Sequence, residues 1–308
     1  MKKFHGKTVL FIVGPTAIGK TRLAIKLAKK LHGEIISCDS MQVYRGMDIL
    51  SQAPSKKEKR SVKHHLVGIL DPKSEYSAAS FRKKATPVIK SIIKEKKLPI
   101  IVGGSGLYMK ALVDGLFSSP AADMKFRKRM QGFVSRYGSK KLHDRLSRID
   151  RASSICIHPN DARRIIRALE IFNSTGRTMT ELKSMTRGLK DHYGIKIFGL
   201  TAPRKKIYSK IDSRVDKMFE DGAVDQAEKL AGKKISKTAA AVLGLKEIGG
   251  HIRGEYNLEH AKDLMKMNTR RFAKRQLTWF RHDKRIKWYD LTRNTEEKII
   301  KRITRECA

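Results

Sequence analysis

The sequence predicts an α/β protein in which a parallel sheet is interrupted by a helical insertion. Four short apolar runs rich in β-branched residues have the length and composition of buried parallel strands. Gly, Ser or Asp stands at or just after the end of each of the first three, and polar or helical stretches follow, an alternation typical of a doubly wound sheet with crossover helices. The third and fourth runs lie about 90 residues apart, far more than one crossover needs. We therefore expect a separate helical unit between them.

The predicted strands and helices follow one another along the chain. The strands are Thr8–Val13, Glu34–Ser37, Leu98–Val102 and Ile195–Leu200. Helical periodicity is clear over Lys20–Leu31 and over Ala78–Lys94, and after Leu200 the sequence predicts helices to the end of the chain. One of these late helices has an apolar face formed by Phe272, Ala273, Gln276, Leu277 and Phe280.

The segment from 121 to 193 contains several helical patterns and no convincing strand pattern, so it is expected to form the insertion. Residues 1–120 and 194–308 would then form the core with its C-terminal helices. Between positions 123 and 167 the insertion carries 13 Lys or Arg against four Asp. This local excess of positive charge predicts contact with a polyanion.

The charge of the whole chain points the same way. Its 308 residues include 68 Lys and Arg against 30 Asp and Glu, a formal net charge of +38. Such an excess is expected mainly where a polyanion is bound, so nucleic acid is the leading candidate partner. The alternative is a lineage whose proteins are generally rich in lysine, because total charge does not say where the charge lies.

Composition also excludes several classes of protein. Hydrophobic residues make up 40% of the chain, which argues against intrinsic disorder. No apolar run approaches the ~20 residues that span a bilayer. Three scattered cysteines, Cys38, Cys156 and Cys307, provide neither a disulfide framework nor a Cys-x-x-Cys zinc site. We expect a soluble cytoplasmic protein with no membrane partner.

A phosphate-binding loop follows the first predicted strand and precedes the first predicted helix. It comprises Gly14, Pro15, Thr16, Ala17, Ile18, Gly19, Lys20 and Thr21, and it fits the pattern G-x-x-x-x-G-K-[ST]. Glycines let such a loop curl so that its amides point inward, while Lys20 adds a mobile positive charge and the helix adds its positive end. Thr21 would place a hydroxyl on Mg²⁺. The motif predicts binding of a phosphate chain without showing whether a phosphoryl group moves.

Polar residues follow the second and third predicted strands at the same edge of the sheet. Asp39 could accept a proton from a nucleophile or hold Mg²⁺ through water, or it could merely cap a turn. Ser105 lies in a run of glycines that permits close backbone approach, although a plain strand-to-helix turn explains that run equally well.

Seven blocks of sequence, in order over nearly the whole chain, together resemble one known family. They are Gly14–Thr21, Asp39–Ile49, His64–Leu66 with Asp71–Pro72, Val102–Tyr108, His158–Asp161 with Arg167–Glu170, Arg214–Met218 and Thr269–Arg281. This series resembles the tRNA dimethylallyltransferases, the isopentenyl-tRNA transferases of bacteria. The second and last blocks are highly specific.

The resemblance implies a fold, a reaction and partners. The fold would be a parallel-sheet core like that of the phosphate-loop nucleoside triphosphate hydrolases, with a helical insertion that grips the anticodon stem. The reaction would transfer a dimethylallyl group from dimethylallyl diphosphate to N6 of the adenosine 3′ to the anticodon of tRNA, releasing diphosphate. The loop would then hold a prenyl diphosphate and not ATP. Mg²⁺ is the implied cofactor, and we expect a monomer.

Roles carried over by position remain implications of the resemblance. Asp39 resembles the general base, and Thr21 and Ser105 resemble hydroxyls near the diphosphate and metal. Arg214 resembles the arginine that joins Lys20 in neutralising the leaving group. The segments that resemble tRNA contacts are Asp39, Ser40, Met41 and Gln42, and Arg163, Arg164, Ile165, Ile166 and Arg167.

The chain departs from the family pattern in two places. Ser105 stands where the family usually has Thr, which keeps the hydroxyl. The segment Leu50–Pro54 replaces a Gly-Thr-Ala-Lys-Pro run and lacks its lysine. Three other functions remain open from the residues: a phosphate-loop kinase, a prenyltransferase of free adenine nucleotides, and a non-catalytic RNA-binding module.

Overall fold

The sheet is parallel throughout and has six strands in the order β3-β2-β4-β1-β5-β6. A computed structural model describes residues 7–117 and 122–307 of the chain. The strands are β1 (Thr8–Val13), β2 (Gly33–Ser37), β3 (His64–His65), β4 (Leu98–Gly103), β5 (Gly194–Thr201) and β6 (Ile286–Asp290). The four strands predicted from sequence are therefore confirmed, within one residue at each end.

The central strands form where apolar residues run without interruption. In β1 every residue from Val9 to Val13 is buried, and β4 is buried along its whole length. The two strands pair in parallel, with Phe11 opposite Ile101. Strands buried on both faces read as continuous apolar runs, and this is why their positions could be predicted.

Helices connect and flank these strands. Before the insertion they are α1 (Lys20–Leu31), α2 (Asp48–Ser51), α3 (Lys56–Ser61), α4 (Ala78–Lys94) and α5 (Gly106–Val113). The next four are α6 (Met124–Ile149), α7 (Arg151–Cys156), α8 (Ala162–Thr175) and α9 (Met179–Ser184). The last five are α10 (Arg204–Glu220), α11 (Ala223–Ala231), α12 (Leu245–Ile252), α13 (Leu258–Arg281) and α14 (Glu296–Cys307). No helix in the described part of the chain is both long and apolar enough to span a membrane.

The expectation of helices alone after Leu200 was wrong, because β6 follows α13. This strand lies at the edge of the sheet, beside β5 only, and exposes Lys287. The short β3, His64–His65, lies at the opposite edge and is only half-buried. Both edge strands contain polar residues, so neither shows the uninterrupted apolar run of a central strand.

The chain divides into two compact units, Met1–Val113 with Leu189–Ala308, and Asp114–Gly188. The sequence placed the insertion at 121–193, so both boundaries shift toward the N-terminus. At the first boundary a Cβ on Gly115 would lie 2.3 Å from the carbonyl oxygen of Arg187, so these two segments abut within the second unit. At the second boundary Leu189 is buried in the core of the first unit.

The second unit is helical and has its own core, in which Phe126, Leu142 and Ile165 are buried. No strand occurs among its described residues, which run from 114 to 117 and from 122 to 188. A side chain that is wholly buried in this unit is the carboxylate of Glu170. It accepts hydrogen bonds from the Asp123 amide at 2.8 Å and from the Arg127 guanidinium at 2.8 and 2.9 Å.

Candidate active site

A cavity of about 750 Å³ lies in the first unit, where the phosphate loop meets the ends of the central strands. Parallel strands bring their carboxyl ends to one edge of the sheet, and ligands of such sheets bind there. The residues of the loop that line it are Thr16 to Thr21. Among the others are Ser37, Asp39, Gln42, Gln52, Gly103, Gly104, Arg214, Lys217 and Gln276.

The phosphate loop has the backbone conformation that its glycines predict. Gly14 has a φ of 144°, and a Cβ there would lie 2.6 Å from the Leu200 carbonyl oxygen. Gly19 has a φ of 98° and is the N-cap of α1. The loop therefore curls tightly before the helix, whose N-terminal amides and dipole favour an anion. Gly14 and Pro15, which were also predicted to bind the diphosphate, are not among the residues that line the cavity.

Lys20 lies in the first turn of α1 and reaches back over the loop. Its Nζ donates a hydrogen bond to the Pro15 carbonyl oxygen at 2.8 Å. Burial, reinforced by the positive charge of Arg214, lowers the pKa of Lys20 to about 7, although the carboxylate of Asp39 acts in the opposite direction. An anion bound in the loop would favour the charged form of this amine.

Arg214 is supplied by α10 and lies against the phosphate loop. Its Nη1 donates to the Thr16 hydroxyl at 3.1 Å, and its Nε donates to Oε1 of Gln52 at 2.5 Å. Burial lowers the pKa of Arg214, and the nearby Asp39 opposes that shift. Because an arginine stays charged at any physiological pH, the site presents a fixed cation beside the loop.

Asp39 follows β2 and lines the same cavity. Its Oδ1 accepts hydrogen bonds from the amides of Met41 at 2.8 Å and Gln42 at 3.4 Å. The described residues place no hydrogen bond on Oδ2. Asp39 thus caps a turn, as one sequence-based interpretation expected, and it also lines the cavity, where a role as base or metal ligand stays a prediction.

Ser40, Met41 and Gln42, which follow Asp39 in the segment expected to contact tRNA, differ in their surroundings. Ser40 and Met41 are half-buried. The side chain of Gln42 is used internally: its Oε1 accepts from the Ser37 hydroxyl at 2.8 Å, and its Nε2 donates to the Gln52 carbonyl oxygen at 2.9 Å.

Ser105 lies at the end of β4 but does not line the cavity, whereas Gly103 and Gly104 do. The amide of Ser105 donates to the Cys38 carbonyl oxygen at 3.4 Å, next to Asp39. A Cβ on Gly103 would lie only 2.0 Å from that same oxygen. The glycines therefore allow the β2 and β4 loops to touch, as the sequence suggested.

Two glutamines of the site were not predicted. Gln276 of α13 is buried, accepts a hydrogen bond from the Thr16 amide at 2.8 Å, and donates one to the Gly104 carbonyl oxygen at 3.1 Å. A polar residue on an otherwise apolar helix face was the available signal, since buried amides need partners. Gln52 lies in the segment that departs from the family pattern, and only its contact with Arg214 reveals it.

The residues predicted to contact tRNA in the helical unit do not share one environment. Ile165 and Ile166 are 0% and 6% exposed in the core of that unit, so the expectation that their side chains contact tRNA is wrong. Arg167 pairs with the buried Glu170. Arg164 pairs with Asp161 at 2.5 Å, and Arg163 is exposed. The reason is helical periodicity: at about 3.6 residues per turn, only part of a five-residue segment faces the core, here Ile165 and Ile166.

The residues of the cavity fit a magnesium ion that is shared with phosphate oxygens. The described residues contain no cluster of three or more His, Cys, Asp or Glu side chains that could enclose a metal. Mg²⁺ typically takes only one or two protein oxygens and completes its shell with phosphates and water. The Thr21 hydroxyl and the Asp39 carboxylate, which line the same cavity, suit that kind of site.

Fold and site together define a class: an α/β protein with a phosphate-binding loop whose cavity also holds a carboxylate and an arginine. Comparison with known proteins narrows this class. The chain matches the family model described as IPP transferase over residues 42–283. It therefore belongs to the IPP transferase family, which confirms the family predicted from sequence.

Individual relatives resemble the chain over nearly its whole length. It is 45% identical to the tRNA dimethylallyltransferase of Carboxydothermus hydrogenoformans, covering 97% of each chain. A crystal structure of the tRNA isopentenylpyrophosphate transferase of Bacillus halodurans is 42% identical, with a TM-score of 0.72 over 97% of this chain and 95% of that one. A solved structure of a eukaryotic dimethylallyltransferase acting on tRNA is 27% identical to this chain. Its TM-score is 0.75, and the match covers 96% of this chain and 77% of that one. These similarities confirm the predicted phosphate-loop α/β fold.

Proposed function

We propose that the chain transfers a dimethylallyl group from dimethylallyl diphosphate to N6 of the adenosine 3′ to the anticodon of tRNA, releasing diphosphate. The family makes it a prenyltransferase that acts on tRNA. One observation supports the proposed chemistry above the rest: the phosphate loop, Asp39 and Arg214 line a single cavity. We propose that it works as a monomer in the cytoplasm, where tRNA is available.

The phosphate loop would bind the diphosphate of the donor. Loop amides, the N-terminus of α1 and the charges of Lys20 and Arg214 surround the place where negative charge develops as the carbon-oxygen bond breaks. Groups preorganised in this way stabilise a transition state more than a ground state. Thr21 would hold Mg²⁺, which when bound would add positive charge beside the leaving group.

Asp39 would accept the proton of the nucleophile. An exocyclic adenine amine is a poor nucleophile because its lone pair is delocalised into the ring, so its proton must leave as the carbon-nitrogen bond forms. The bond between N6 and the allylic carbon forms while the bond from that carbon to the diphosphate oxygen breaks. The electron pair leaves with diphosphate, and the proton passes to the carboxylate. The target base must leave its stack first.

The tRNA would be bound through charge. The exposed Arg163 lies in the helical unit, whose sequence is strongly basic. We retain Arg163 and Arg164 as proposed phosphate contacts, since phosphate contacts position an RNA without reading its sequence. Arg167 would act indirectly, by neutralising Glu170.

Asp39→Asn tests the assigned base with little change in shape. We expect transfer of labelled dimethylallyl to an unmodified tRNA transcript to fall roughly 10² to 10⁴-fold, because a positioned base contributes about that much. Binding of tRNA should change little. Asp48→Asn is the matched control, because Asp48 is exposed in the first turn of α2 and does not line the cavity.

The same assay separates the competing functions. A kinase would consume ATP and leave the transcript unmodified, and a nucleotide prenyltransferase would accept AMP in place of tRNA. Normal transfer by Asp39→Asn would show that this carboxylate is not the base. ATP turnover without any prenylated tRNA would contradict the proposed function as a whole.

A further inference from the structure

Gln52 contacts the guanidinium of Arg214. Its Oε1 accepts the Arg214 Nε–H at 2.5 Å, although the two residues are 162 positions apart in sequence. Arg214 is half-buried, and its other end reaches the Thr16 hydroxyl of the phosphate loop at 3.1 Å. The guanidinium is thus held at two points, by Gln52 and by Thr16, and all three residues line the cavity.

Gln52 is itself fixed from two directions. Its Nε2 donates to the Ile49 carbonyl oxygen at 2.8 Å, which orients the amide so that Oε1 faces Arg214. Its own carbonyl oxygen accepts from Nε2 of Gln42 at 2.9 Å, and Gln42 is in turn held by Ser37 at the end of β2. A network of side-chain amides therefore connects the sheet to the arginine.

We propose that Gln52 is a positioning residue, which holds the Arg214 guanidinium toward the phosphate loop so that it meets the diphosphate group without reorientation. This inference rests on the proposed function of the cavity as a diphosphate site. It assigns a role within the segment Leu50–Pro54, to which the sequence alone assigned none.

The physical benefit is preorganisation. A free arginine side chain would adopt many rotamers and would lose that freedom when an anion binds. A neutral amide acceptor removes this cost without cancelling the charge, whereas a carboxylate in the same place would compete with the diphosphate. Gln52 should therefore strengthen binding of the anion while making no contact with it.

A purely structural role for Gln52 has to be distinguished from this one. Gln52 ends α2 in the left-handed region, with φ 52° and ψ 47°, and its amide donates to the Asp48 and Ile49 carbonyl oxygens. Glycine adopts that conformation at lower cost than glutamine. Gln52→Gly should therefore preserve the turn while it removes the side chain, and with it both the acceptor for Arg214 and the donor to the Ile49 carbonyl oxygen.

The test is the binding of inorganic pyrophosphate, measured by titration calorimetry in magnesium buffer, for four proteins. These are wild type, Gln52→Gly, Arg214→Ala and the double variant. We expect Gln52→Gly to weaken pyrophosphate binding about tenfold, as for the loss of one charge-assisted hydrogen bond. In the Arg214→Ala background the same change should have less than about a twofold effect, because its target is gone. The thermal unfolding midpoint of Gln52→Gly should be unchanged or raised.

Gln226→Ala is the matched control. Gln226 accepts a hydrogen bond from the Leu50 amide at 2.9 Å, so it holds the same segment, but it does not line the cavity. Its substitution should leave pyrophosphate binding within about twofold of wild type, and an equal loss would assign the effect to the segment instead of to the Arg214 contact. The inference is overturned if Gln52→Gly binds pyrophosphate with wild-type affinity. It is also overturned if the substitution weakens pyrophosphate binding equally in wild type and in Arg214→Ala.

Kinetics with dimethylallyl diphosphate at saturating tRNA give a second measurement. We expect Gln52→Gly to raise the KM for the donor about tenfold and to lower kcat less. The coupling is the dependence of the Gln52→Gly effect on the presence of Arg214. If the wild-type enzyme transfers no prenyl group while this coupling is present, the proposed function fails and the positioning role stands. If transfer occurs and the coupling is absent, only the positioning role fails.

Discussion

At the scale of single residues, the ionisation of Lys20 connects the site to pH. Burial and the adjacent Arg214 lower the pKa of its amine to about 7, so a large fraction of the amines are neutral at neutral pH. A bound diphosphate would supply the opposite charge and raise that pKa again. Binding of the anion should therefore be accompanied by uptake of a proton at Lys20.

We predict that wild-type protein takes up more protons than Lys20→Arg when it binds inorganic pyrophosphate at pH 8. Arginine is charged before and after binding, and protons released by pyrophosphate itself are the same for both proteins. The affinity of wild type should also fall more steeply above pH 7 than that of Lys20→Arg. Calorimetry in two buffers of different ionisation enthalpy measures the uptake. Equal uptake in both proteins would mean that Lys20 is already fully charged.

At the scale of secondary-structure elements, Glu170 joins two helices of the second unit. It lies on α8 and accepts hydrogen bonds from the N-terminal end of α6, where Asp123 and Arg127 lie. Burial would raise the pKa of this carboxyl, but hydrogen bonds from Arg127 and Arg167 outweigh it and lower the pKa to about 2. A charged carboxylate is therefore part of the folded unit.

We predict that Glu170→Gln destabilises this unit by about 3 kcal/mol, because it leaves two arginines without their buried partner. Amide exchange in α6 and α8 should become about 100-fold faster, while exchange in β1 and β4 stays unchanged. Glu181→Gln, at an exposed capping box, is the control and should leave amide exchange in α6 and α8 close to that of wild type. Unaltered exchange in α6 and α8 would contradict the role given to Glu170.

The same group has a defined effect of pH on stability. Because the folded-state pKa is lowered from 4.5 to about 2, the stabilisation by Glu170 is present above pH 4.5 and is lost as the pH falls toward 2. Wild type should lose protection of α6 and α8 across that range, and Glu170→Gln should lose less.

At the scale of the whole molecule, a net charge of +38 affects every encounter with a polyanion. Much of this charge is exposed, and part of it is neutralised internally, as in the pairs of Arg167 with Glu170 and Arg270 with Asp212. Only cations that remain free to meet phosphates release counterions when RNA binds.

We predict that the association constant for tRNA falls steeply as the salt concentration rises. A plot of its logarithm against the logarithm of salt concentration should have a negative slope of about one for each phosphate contact. Arg163→Ala should reduce the slope by about one and weaken binding to all tRNA sequences alike. Lys301→Ala removes the same charge from the exposed face of α14 and should leave the slope unchanged. Filter binding over a series of salt concentrations measures both. A flat response in wild type would contradict binding through charge.

How much could be predicted depended on whether the signal was local. The structure confirmed the strands β1, β2, β4 and β5, the helices α1 and α4, and the phosphate loop. Each was predictable because a continuous apolar run, a helical periodicity or a fixed glycine spacing is a pattern of residues close together in sequence. The edge strands β3 and β6 lack an apolar run, and the insertion boundaries depend on contacts such as that of Gly115 with Arg187. Ile165 and Ile166 were misassigned because a motif does not show which of its residues face the core.

The amino-acid sequence by itself determined the class of fold, the phosphate loop and the family, since each depends on residues close together in the chain. Only the tertiary structure decided how the site is assembled. Gln276 meets Thr16 across 260 positions and Gln52 meets Arg214 across 162. Hydrogen bonds between side chains act over about 3 Å in space and leave no periodicity in sequence. Partners of this kind become visible only when the chain is folded.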